Sequence, residues 1–119
     1  MSKVLVADDA SFMRLMIRQI LARRGYVDVV EAENGLRAVE LYKATRPELV
    51  LLDITMPELD GLAALAEILE FDSRAKILIC SAVAQQKMVA EALKRGALDF
   101  IIKPFRPDEL LAVVSKYLD

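Results

Sequence analysis

Short runs of apolar residues alternate along this chain with longer stretches in which apolar side chains recur at every third or fourth position. The short runs predict β-strands, and the longer stretches predict amphipathic helices. One run, Leu49 to Leu52, is apolar at every position and is followed at once by the acid Asp53. The predicted strands are Val4–Ala7, Val27–Ala32, Leu49–Leu52, Ile77–Cys80 and Phe100–Ile102.

Each predicted strand is followed by a predicted helix whose ends carry recognisable signals. Gly25 and Gly96 are placed to close the first and fourth helices. Asn34 opens the second helix, which must end before Pro47, and the last helix begins at Pro107. The predicted apolar faces are Met13, Met16, Ile17, Ile20 and Leu21, then Val39 and Tyr42, then Leu62, Leu65, Ile68 and Leu69, then Met88, Val89, Ala92 and Leu93.

Five strand–helix units of this length predict parallel strands joined by right-handed crossovers, with helices on both faces of the sheet. The predicted fold class is therefore a doubly wound α/β domain. In such sheets, ligands bind beyond the carboxyl ends of the strands, near the point where the strand order reverses. Functional residues are expected at that edge.

Composition and charge narrow the class of protein. The 119 residues are 55% apolar and 29% charged, and we expect residues 1–119 to form one domain. The net charge of −2 argues against a nucleic-acid partner. No apolar run approaches the ~18 residues of a membrane-spanning helix, and the first residues lack the pattern of a signal peptide. We therefore expect no membrane association and a cytoplasmic location.

The chain contains no histidine and a single cysteine, Cys80. Neither an imidazole base nor a histidine metal ligand is available. This excludes serine–histidine–aspartate hydrolases, cysteine–histidine hydrolases and most zinc enzymes. A single cysteine forms no internal disulfide, which agrees with a reducing compartment.

Polar side chains stand at the carboxyl ends of four predicted strands. Asp8 and Asp9 follow the first strand, Asp53 follows the third, Ser81 the fourth and Lys103 the fifth. Each has a simpler explanation when taken alone, because the acids and the serine are common helix or turn caps and the lysine suits any surface. Together they would bring three carboxylates, a hydroxyl and an ammonium to one edge of the sheet, and this combination favours a functional site.

Three carboxylates within about 4 to 6 Å of one another repel, and at least one pKa rises unless a cation is present. Oxygen ligands without histidine or cysteine favour a hard ion, and a small number of protein ligands suits Mg²⁺. Mg²⁺ and Lys103 would together balance the three acids. Such a site can receive a phosphoryl group, because the metal and the lysine neutralise charge on its oxygens.

Four motifs carry a resemblance to a known family. They are Asp8-Asp9, Asp53 followed by ITMPELDG, Ser81-Ala82 and Lys103-Pro104-Phe105. In combination they resemble the receiver domain of two-component response regulators, over the whole chain. The segments DDASFMR, DITMPELDG and CSAVAQQKMVAEALKRGALDFIIKPF are most similar to single-domain chemotaxis members of that family. The resemblance implies a flavodoxin-like (βα)5 fold with five parallel strands in the order 2-1-3-4-5.

The resemblance implies a phosphoacceptor and a metal site. Asp53 would be the carboxylate nucleophile that takes the phosphoryl group. Asp9 and Asp53 would bind Mg²⁺ directly, together with the backbone carbonyl of Thr55. Asp8 would act largely through a bound water.

The resemblance also implies which groups would contact the phosphoryl group. Lys103 would pair with its oxygens, and the Ser81 hydroxyl would donate a hydrogen bond to it. Met56-Pro57 and Gly61 would shape the loop beside the acceptor. The bond Lys103-Pro104 is a candidate cis peptide.

The function implied is that of a chemotaxis response regulator, which accepts a phosphoryl group from a histidine kinase and then switches its binding to the flagellar motor. The expected partners are a chemotaxis histidine kinase and the flagellar motor switch protein, and a dedicated phosphatase is a further expected partner. The protein is expected to act as a monomer and as a signalling phosphoacceptor rather than an enzyme. Thr55 replaces an amide seen in some members and Val83 offers no group to orient a water, so slow self-dephosphorylation is expected.

The surface that would carry the signal is the fourth helix, the fifth strand and the last helix. Phe100 stands where related proteins often carry a tyrosine that turns inward on activation. Two interpretations of Phe100 stay open, since this residue either follows the same packing change or is plain core of the fifth strand. The proposed surface is Ala84–Glu91, Phe100 and Arg106–Val114, with Gln85, Gln86 and Lys87 as candidate contact residues.

Other functions compete with this interpretation. Within the family, the chain is alternatively a stand-alone receiver in another phosphorelay or a receiver cut from a larger transcription regulator. Outside it, a Mg²⁺-dependent aspartate-nucleophile phosphatase usually carries a second Asp two residues after the nucleophile, where this chain has Thr55. A flavin-binding module needs a hydroxyl- and glycine-rich first turn, but the first turn here is ADDAS, whose carboxylates would repel a phosphate.

Overall fold

The computed structural model describes residues 2–119 and contains five strand–helix units. The strands are β1 (Lys3–Ala7), β2 (Asp28–Ala32), β3 (Leu49–Asp53), β4 (Ile77–Ala82) and β5 (Asp99–Lys103). The helices are α1 (Ser11–Ala22), α2 (Gly35–Thr45), α3 (Gly61–Phe71), α4 (Gln86–Lys94) and α5 (Pro107–Leu118). A short 3₁₀ turn, Val83–Gln85, precedes α4.

The five strands are all parallel and lie in the order β2-β1-β3-β4-β5, as predicted. The strand order reverses between β1 and β3, where Ala7 pairs with Leu52. On the other side of β3, Asp53 pairs with Cys80 of β4. The carboxyl ends of β1, β3 and β4 therefore meet at the switch point of the sheet, where parallel α/β folds place their ligands.

The sheet is buried on both faces because apolar residues occupy both sides of its central strands. Leu5 and Val50 pack in one core cluster with residues of α2, α3 and α4. Val4 and Leu51, one position away on the same strands, pack in a second cluster with residues of α1 and α5. Alternate strand residues point to opposite faces, so a continuous apolar run is what a two-sided sheet requires.

The helix-end signals act largely as predicted. Asn34 caps α2 by accepting a hydrogen bond from the Arg37 N–H at 2.7 Å. Gly25 and Gly96 have φ angles of 81° and 119° and lie just beyond α1 and α4. Behind Gly96, the Ala97 N–H returns to the carbonyl of Ala92, which is the closing bond of a Schellman motif.

Some sequence predictions were wrong in detail. Val27 lies outside β2 and is 57% exposed, so that strand begins one residue later than predicted. Met16 and Leu93, predicted to lie on buried helix faces, are 37% and 38% exposed. They stand at the margins of their apolar stripes, where a helix turns away from the sheet. In residues 2–119, no helix combines the length and the apolar character that crossing a bilayer requires.

Candidate functional site

The carboxyl edge of the sheet brings the predicted polar residues together. Asp8 follows β1, and Asp53 is the last residue of β3 rather than the first residue after it. Ser81 and Lys103 likewise lie within β4 and β5, where Ala82 pairs with Lys103. All of these positions except Asp8 are therefore fixed by strand pairing.

Three carboxylates form the centre of the site. Asp8, Asp9 and Asp53 each offer an oxygen, and these oxygens all lie within 4.8 Å of one another. Asp8 is 2% exposed and Asp53 is 8% exposed, whereas Asp9 faces the solvent. Ala10 occupies the N-cap position of α1, so helix capping does not account for Asp8 and Asp9.

Lys103 supplies a positive charge to this cluster. Its Nζ lies 2.7 Å from Oδ2 of Asp8 and 3.4 Å from Oδ2 of Asp53, and its side chain is only 20% exposed. Burial alone would lower the pKa of Lys103, but the hydrogen bond to Asp8 and the charges of both acids outweigh it and raise the pKa. The ammonium of Lys103 is therefore fixed by two carboxylates, and Lys103 is not an ordinary surface lysine.

The charge of Asp53 is only partly compensated. Burial raises the pKa of Asp53, the nearby charge of Asp8 adds to the effect, and the Lys103 ammonium opposes it. The net shift is upward, and burial is its largest cause. A further cation would reduce the repulsion among the three carboxylates when all of them are ionised. The oxygen-only donor set and the solvent exposure of Asp9 fit Mg²⁺, which usually keeps several of its waters.

Ser81 contributes a hydroxyl that is ready to donate. The residue is fully buried, and its Oγ has no hydrogen-bond partner among residues 2–119. Leaving a buried polar group unpaired costs about 1–3 kcal/mol. The alternative that Ser81 caps α4 is wrong, because Ser81 lies within β4 and Gln85 occupies the cap position.

Gly61 fixes the loop that follows Asp53. Its N–H donates to the carbonyl of Ile54 at 2.8 Å. A Cβ atom at position 61 would stand 2.3 Å from the Asp53 carbonyl oxygen and 2.6 Å from Cα of Ile54, so only glycine fits. Asp60, just before it, caps α3 by accepting a hydrogen bond from the Ala63 N–H at 2.9 Å. The Asp-Gly pair therefore folds the loop back onto the strand that carries Asp53.

The other predicted positions are one cis peptide bond and three exposed side chains. The Lys103-Pro104 peptide is cis, as predicted. Thr55 and Val83 are both exposed. Phe100 is 40% exposed, so the interpretation of this residue as plain core is wrong.

Two residues at the site were missed as site residues by sequence reasoning. Gln85 donates through Nε2 to Oγ1 of Thr55 and accepts through Oε1 from the Ala82 N–H at 2.8 Å, which ties the loop after β4 to the loop after β3. Arg14 on α1 donates to the backbone carbonyl of Asp8 at 2.6 Å. Spacing along the chain gives no signal for the Gln85 contact with Thr55, since it joins residues 30 positions apart.

Comparison with known protein families gives a match over most of the chain. The family model described as the response regulator receiver domain matches residues 4–115. The chain belongs to the response regulator receiver family. Receiver domains are signalling proteins, and this favours a signalling role over the flavin-binding and phosphatase alternatives.

Chemotaxis proteins are prominent among the relatives of this receiver domain. It is 52% identical over 117 residues to the chemotaxis protein CheY of Bacillus subtilis, covering 98% of each chain. It is 50% identical over 114 residues to CheY of Thermotoga maritima, covering 96% of this chain and 95% of that one. Among solved structures, the CheX-CheY-BeF3-Mg²⁺ complex of Borrelia burgdorferi matches with a TM-score of 0.92 and 34% identity, covering 99% of this chain and 90% of that one. The chain is a CheY-like receiver domain, which is consistent with a chemotaxis response regulator.

Proposed function

We propose that this receiver domain accepts a phosphoryl group on Asp53 from a chemotaxis histidine kinase, in the presence of Mg²⁺, and then switches its binding to the flagellar motor. The observation that carries the proposal is the arrangement around Asp53. A buried carboxylate with a raised pKa lies beside two further acids and the Lys103 ammonium, at the edge of the sheet where β4 also carries the unpaired hydroxyl of Ser81.

In the proposed transfer, a carboxylate oxygen of Asp53 attacks the phosphorus of a phosphohistidine. The new O–P bond forms as the P–N bond breaks, and the leaving imidazole nitrogen keeps the electron pair and takes up a proton from the solvent. Lys103 is already held within 3.4 Å of Asp53, so its ammonium is available to the oxygens of the group in transfer. The products are an aspartyl phosphate and a neutral histidine.

Asp8, Asp9 and Asp53 would hold Mg²⁺, together with the backbone carbonyl of Thr55. The ion supplies positive charge that offsets the charge on the phosphoryl oxygens. The exposed Asp9 and the buried Asp53 are assigned as direct ligands. Asp8, which is already engaged by Lys103, is assigned a role through a bound water.

The switch would begin at Ser81. Phosphorylation adds a charge of about −1.5 to −2 and several acceptor oxygens, enough to draw a nearby hydroxyl toward the site. Ser81 has an unpaired hydroxyl to donate, and its movement would displace Ala82 and the turn that follows. The Gln85 side chain holds that turn to Thr55 before phosphorylation, so this link must give way.

The output surface would lie on α4, β5 and α5. An apolar groove of about 290 Å³ lies between α4 and β5, and the half-exposed ring of Phe100 forms part of its wall. A rearranged turn after β4 would move the first residues of α4 and change this groove. The lining residues are Gln86, Val89, Ala90, Leu93, Phe100 and Ile102.

The proposed partners are a chemotaxis histidine kinase, the flagellar motor switch protein and a dedicated phosphatase. The domain would act as a cytoplasmic monomer and as a phosphoacceptor with slow self-dephosphorylation, not as a turnover enzyme. A CheX-like protein is the candidate for the phosphatase, because a CheX-CheY complex has been solved for a similar chain. The identities of 52% and 50% to CheY proteins favour a chemotaxis pathway.

The experiment that tests the acceptor chemistry is exposure to acetyl phosphate with and without Mg²⁺, followed by an acid quench and intact-mass measurement. We expect the mass of one phosphoryl group to be added only when Mg²⁺ is present, and Asp53→Asn to prevent the addition. Binding of the phosphorylated form to a motor-switch peptide tests the chemotaxis assignment separately. Phosphorylation without any gain in affinity for that peptide would favour another phosphorelay.

A further inference from the structure

Arg14 connects the turn that carries Asp8 to the edge strand β2. Its Nη1 donates to the backbone carbonyl of Asp8 at 2.6 Å, and its Nε donates to Oε1 of Glu31 at 2.9 Å. The Arg14 side chain is only 15% exposed. A planar guanidinium held at two edges has little freedom, so it fixes the position of whatever it binds.

Each of the four polar groups of Asp8 has a partner. Its N–H donates to the carbonyl of Ala32 at 3.0 Å, and its carbonyl accepts from Arg14. In the side chain, Oδ1 accepts from the Ala10 N–H at 2.9 Å, and Oδ2 accepts from Lys103 at 2.7 Å. Asp8 is therefore oriented before any metal arrives, and within residues 2–119 Arg14 is the side chain that binds its carbonyl.

Glu31 balances the positive charge of Arg14, so that the guanidinium can lie near a metal site. Burial would raise the pKa of Glu31, but hydrogen bonds and charges from Arg14 and Arg18 outweigh it and lower the pKa. Glu31 thus stays ionised and neutralises a guanidinium that would otherwise repel a nearby metal ion. Its two oxygens are shared, since Oε1 binds Arg14 and Oε2 binds Arg18.

Arg18 provides an internal comparison one helical turn away. It binds the same carboxylate, with Nε 3.0 Å from Oε2 of Glu31, but its second bond goes to the carbonyl of Val29 at 3.1 Å. The two arginines therefore share a helix, a charge and a partner. They differ in the backbone group that each one holds.

We propose that Arg14 is a positioning residue for the metal site, which fixes the backbone of Asp8 and thereby sets the affinity for Mg²⁺. This inference rests on the proposed function and deepens it. Outer partners that orient metal-binding groups typically change metal affinity by about 10- to 100-fold when they are removed. The size and the sign of the change in Mg²⁺ affinity distinguish a positioning role of Arg14 from the effect of its positive charge alone.

The test compares Arg14→Gln with Arg18→Gln by calorimetric titration of the unphosphorylated protein with Mg²⁺. Loss of positive charge alone would tighten Mg²⁺ binding in both variants. We expect Arg14→Gln to weaken binding by about 10-fold or more, and Arg18→Gln to leave it unchanged or slightly tighter. Equal changes in the two variants would overturn the proposal.

A second measurement needs no metal. Amide hydrogen exchange at Ala10 reports the bond from its N–H to Oδ1 of Asp8. We expect faster exchange in Arg14→Gln and wild-type exchange in Arg18→Gln; equal exchange rates in these two variants would overturn the proposal. If the wild type binds no Mg²⁺, the proposed function fails, and the exchange comparison still shows whether Arg14 fixes Asp8.

Arg14→Lys is a second variant that keeps the test valid if Arg14→Gln does not fold. Lysine keeps the charge and most of the packing but has one ammonium, which cannot copy the two-edged contact of the guanidinium. We expect Mg²⁺ affinity between those of the wild type and Arg14→Gln, or below the wild type if the glutamine variant does not fold. Wild-type affinity in the lysine variant would overturn the proposal.

Discussion

Nζ of Lys103 lies 3.4 Å from Oδ2 of Asp53, and the same ammonium makes a shorter contact of 2.7 Å with Asp8. Lys103 is thus anchored mainly by the acid that is not the proposed acceptor. It remains close enough to Asp53 to reduce the repulsion between the two carboxylates. Because its shorter contact is with Asp8, the Lys103 ammonium can also contact a phosphoryl group attached to Asp53.

Lys103→Gln should destabilise the metal-free protein because two facing carboxylates lose their shared cation. Removing one partner of a buried ion pair costs about 3–5 kcal/mol, and partial relaxation of the exposed edge should bring the loss to the lower end of that range. Mg²⁺ should restore more stability to this variant than to the wild type. The measurement is chemical denaturation with and without Mg²⁺.

Lys116→Gln is the matched control for that measurement. Lys116 pairs with Asp99 across 3.9 Å at a side chain that is 64% exposed, so its removal should change stability little. An equal loss for Lys103→Gln with and without Mg²⁺ would show that its ammonium does not compensate the acids.

Asp53→Asn should stabilise the metal-free fold at neutral pH. The folded pKa of Asp53 is raised above its ordinary value of 3.8, first by burial and then by Asp8, against the opposing charge of Lys103. Stability from such a group is fully present below its unfolded pKa and is lost as the pH rises through its folded pKa. The neutral amide avoids that loss, so the unfolding temperature should rise at neutral pH.

The gain in stability from Asp53→Asn should shrink as the pH falls toward the ordinary pKa of an aspartate. The Asp53 carboxyl of the wild type then becomes neutral too. Thermal unfolding across this pH range, without Mg²⁺, provides the measurement. A variant less stable than the wild type at neutral pH would mean that the contact with Lys103 outweighs burial.

Gly61→Ala should slow phosphorylation as well as destabilise the fold. The added Cβ would meet the Asp53 carbonyl oxygen at 2.3 Å, so the strand end or the loop must shift. Overpacking of this kind costs about 1–3 kcal/mol. The rate of phosphorylation by acetyl phosphate, measured where the variant is fully folded, reports the displacement of Asp53.

Gly25→Ala is the control that distinguishes a displacement of Asp53 from a general loss of stability. Position 25 has open space around it but a φ of 81°, so alanine there is strained without touching the site. It should lower stability and leave the phosphorylation rate unchanged. Equal rates for the Gly61 and Gly25 variants would remove the special role assigned to Gly61.

Gln85→Ala should make the active conformation easier to reach. The side chain links Thr55 to the Ala82 N–H and must release this turn when Ser81 moves. A hydrogen bond contributes about 0.5–1.5 kcal/mol net, which corresponds to about a 2- to 10-fold change in equilibrium. Beryllofluoride, as a phosphoryl analogue with Mg²⁺, should bind more tightly by a factor in that range.

Gln86→Ala is the control for the Gln85 prediction. Gln86 is the neighbouring glutamine on the exposed face of α4 and lines the apolar groove. Its removal should leave beryllofluoride binding at the wild-type level. Weaker binding in Gln85→Ala would instead mean that the link supports the active state.

Most of the fold was predictable because the strands are continuous apolar runs and the helices have clear end signals. The short, wholly apolar run Leu49–Leu52 favours a strand buried on both faces, and this predicts that the acid after it stands at the edge of the sheet. The order of the strands came from the family resemblance, since periodicity gives no pairing partners. Residues at the margins of apolar stripes, such as Met16, were misassigned because sequence spacing does not show where a helix leaves the sheet.

The polar residues at the strand ends were also identifiable from the sequence, because their positions depend on the strands alone. Arg14 and Gln85 were not, because their contacts form only when helices and loops pack against the folded sheet. The bond from Arg14 to Glu31 spans 17 positions, and the bond from Gln85 to Thr55 spans 30. Such contacts depend on how helices and loops pack over the finished sheet.

The most direct test of the central claim locates the phosphoryl group on the chain. After reaction with acetyl phosphate and Mg²⁺, borohydride reduction converts an aspartyl phosphate to homoserine, which peptide mass spectrometry assigns to one position. We predict homoserine at position 53, with Asp8 and Asp9 unmodified. Homoserine at position 8 or 9, or at no position, would contradict the assignment of Asp53 as the phosphoacceptor.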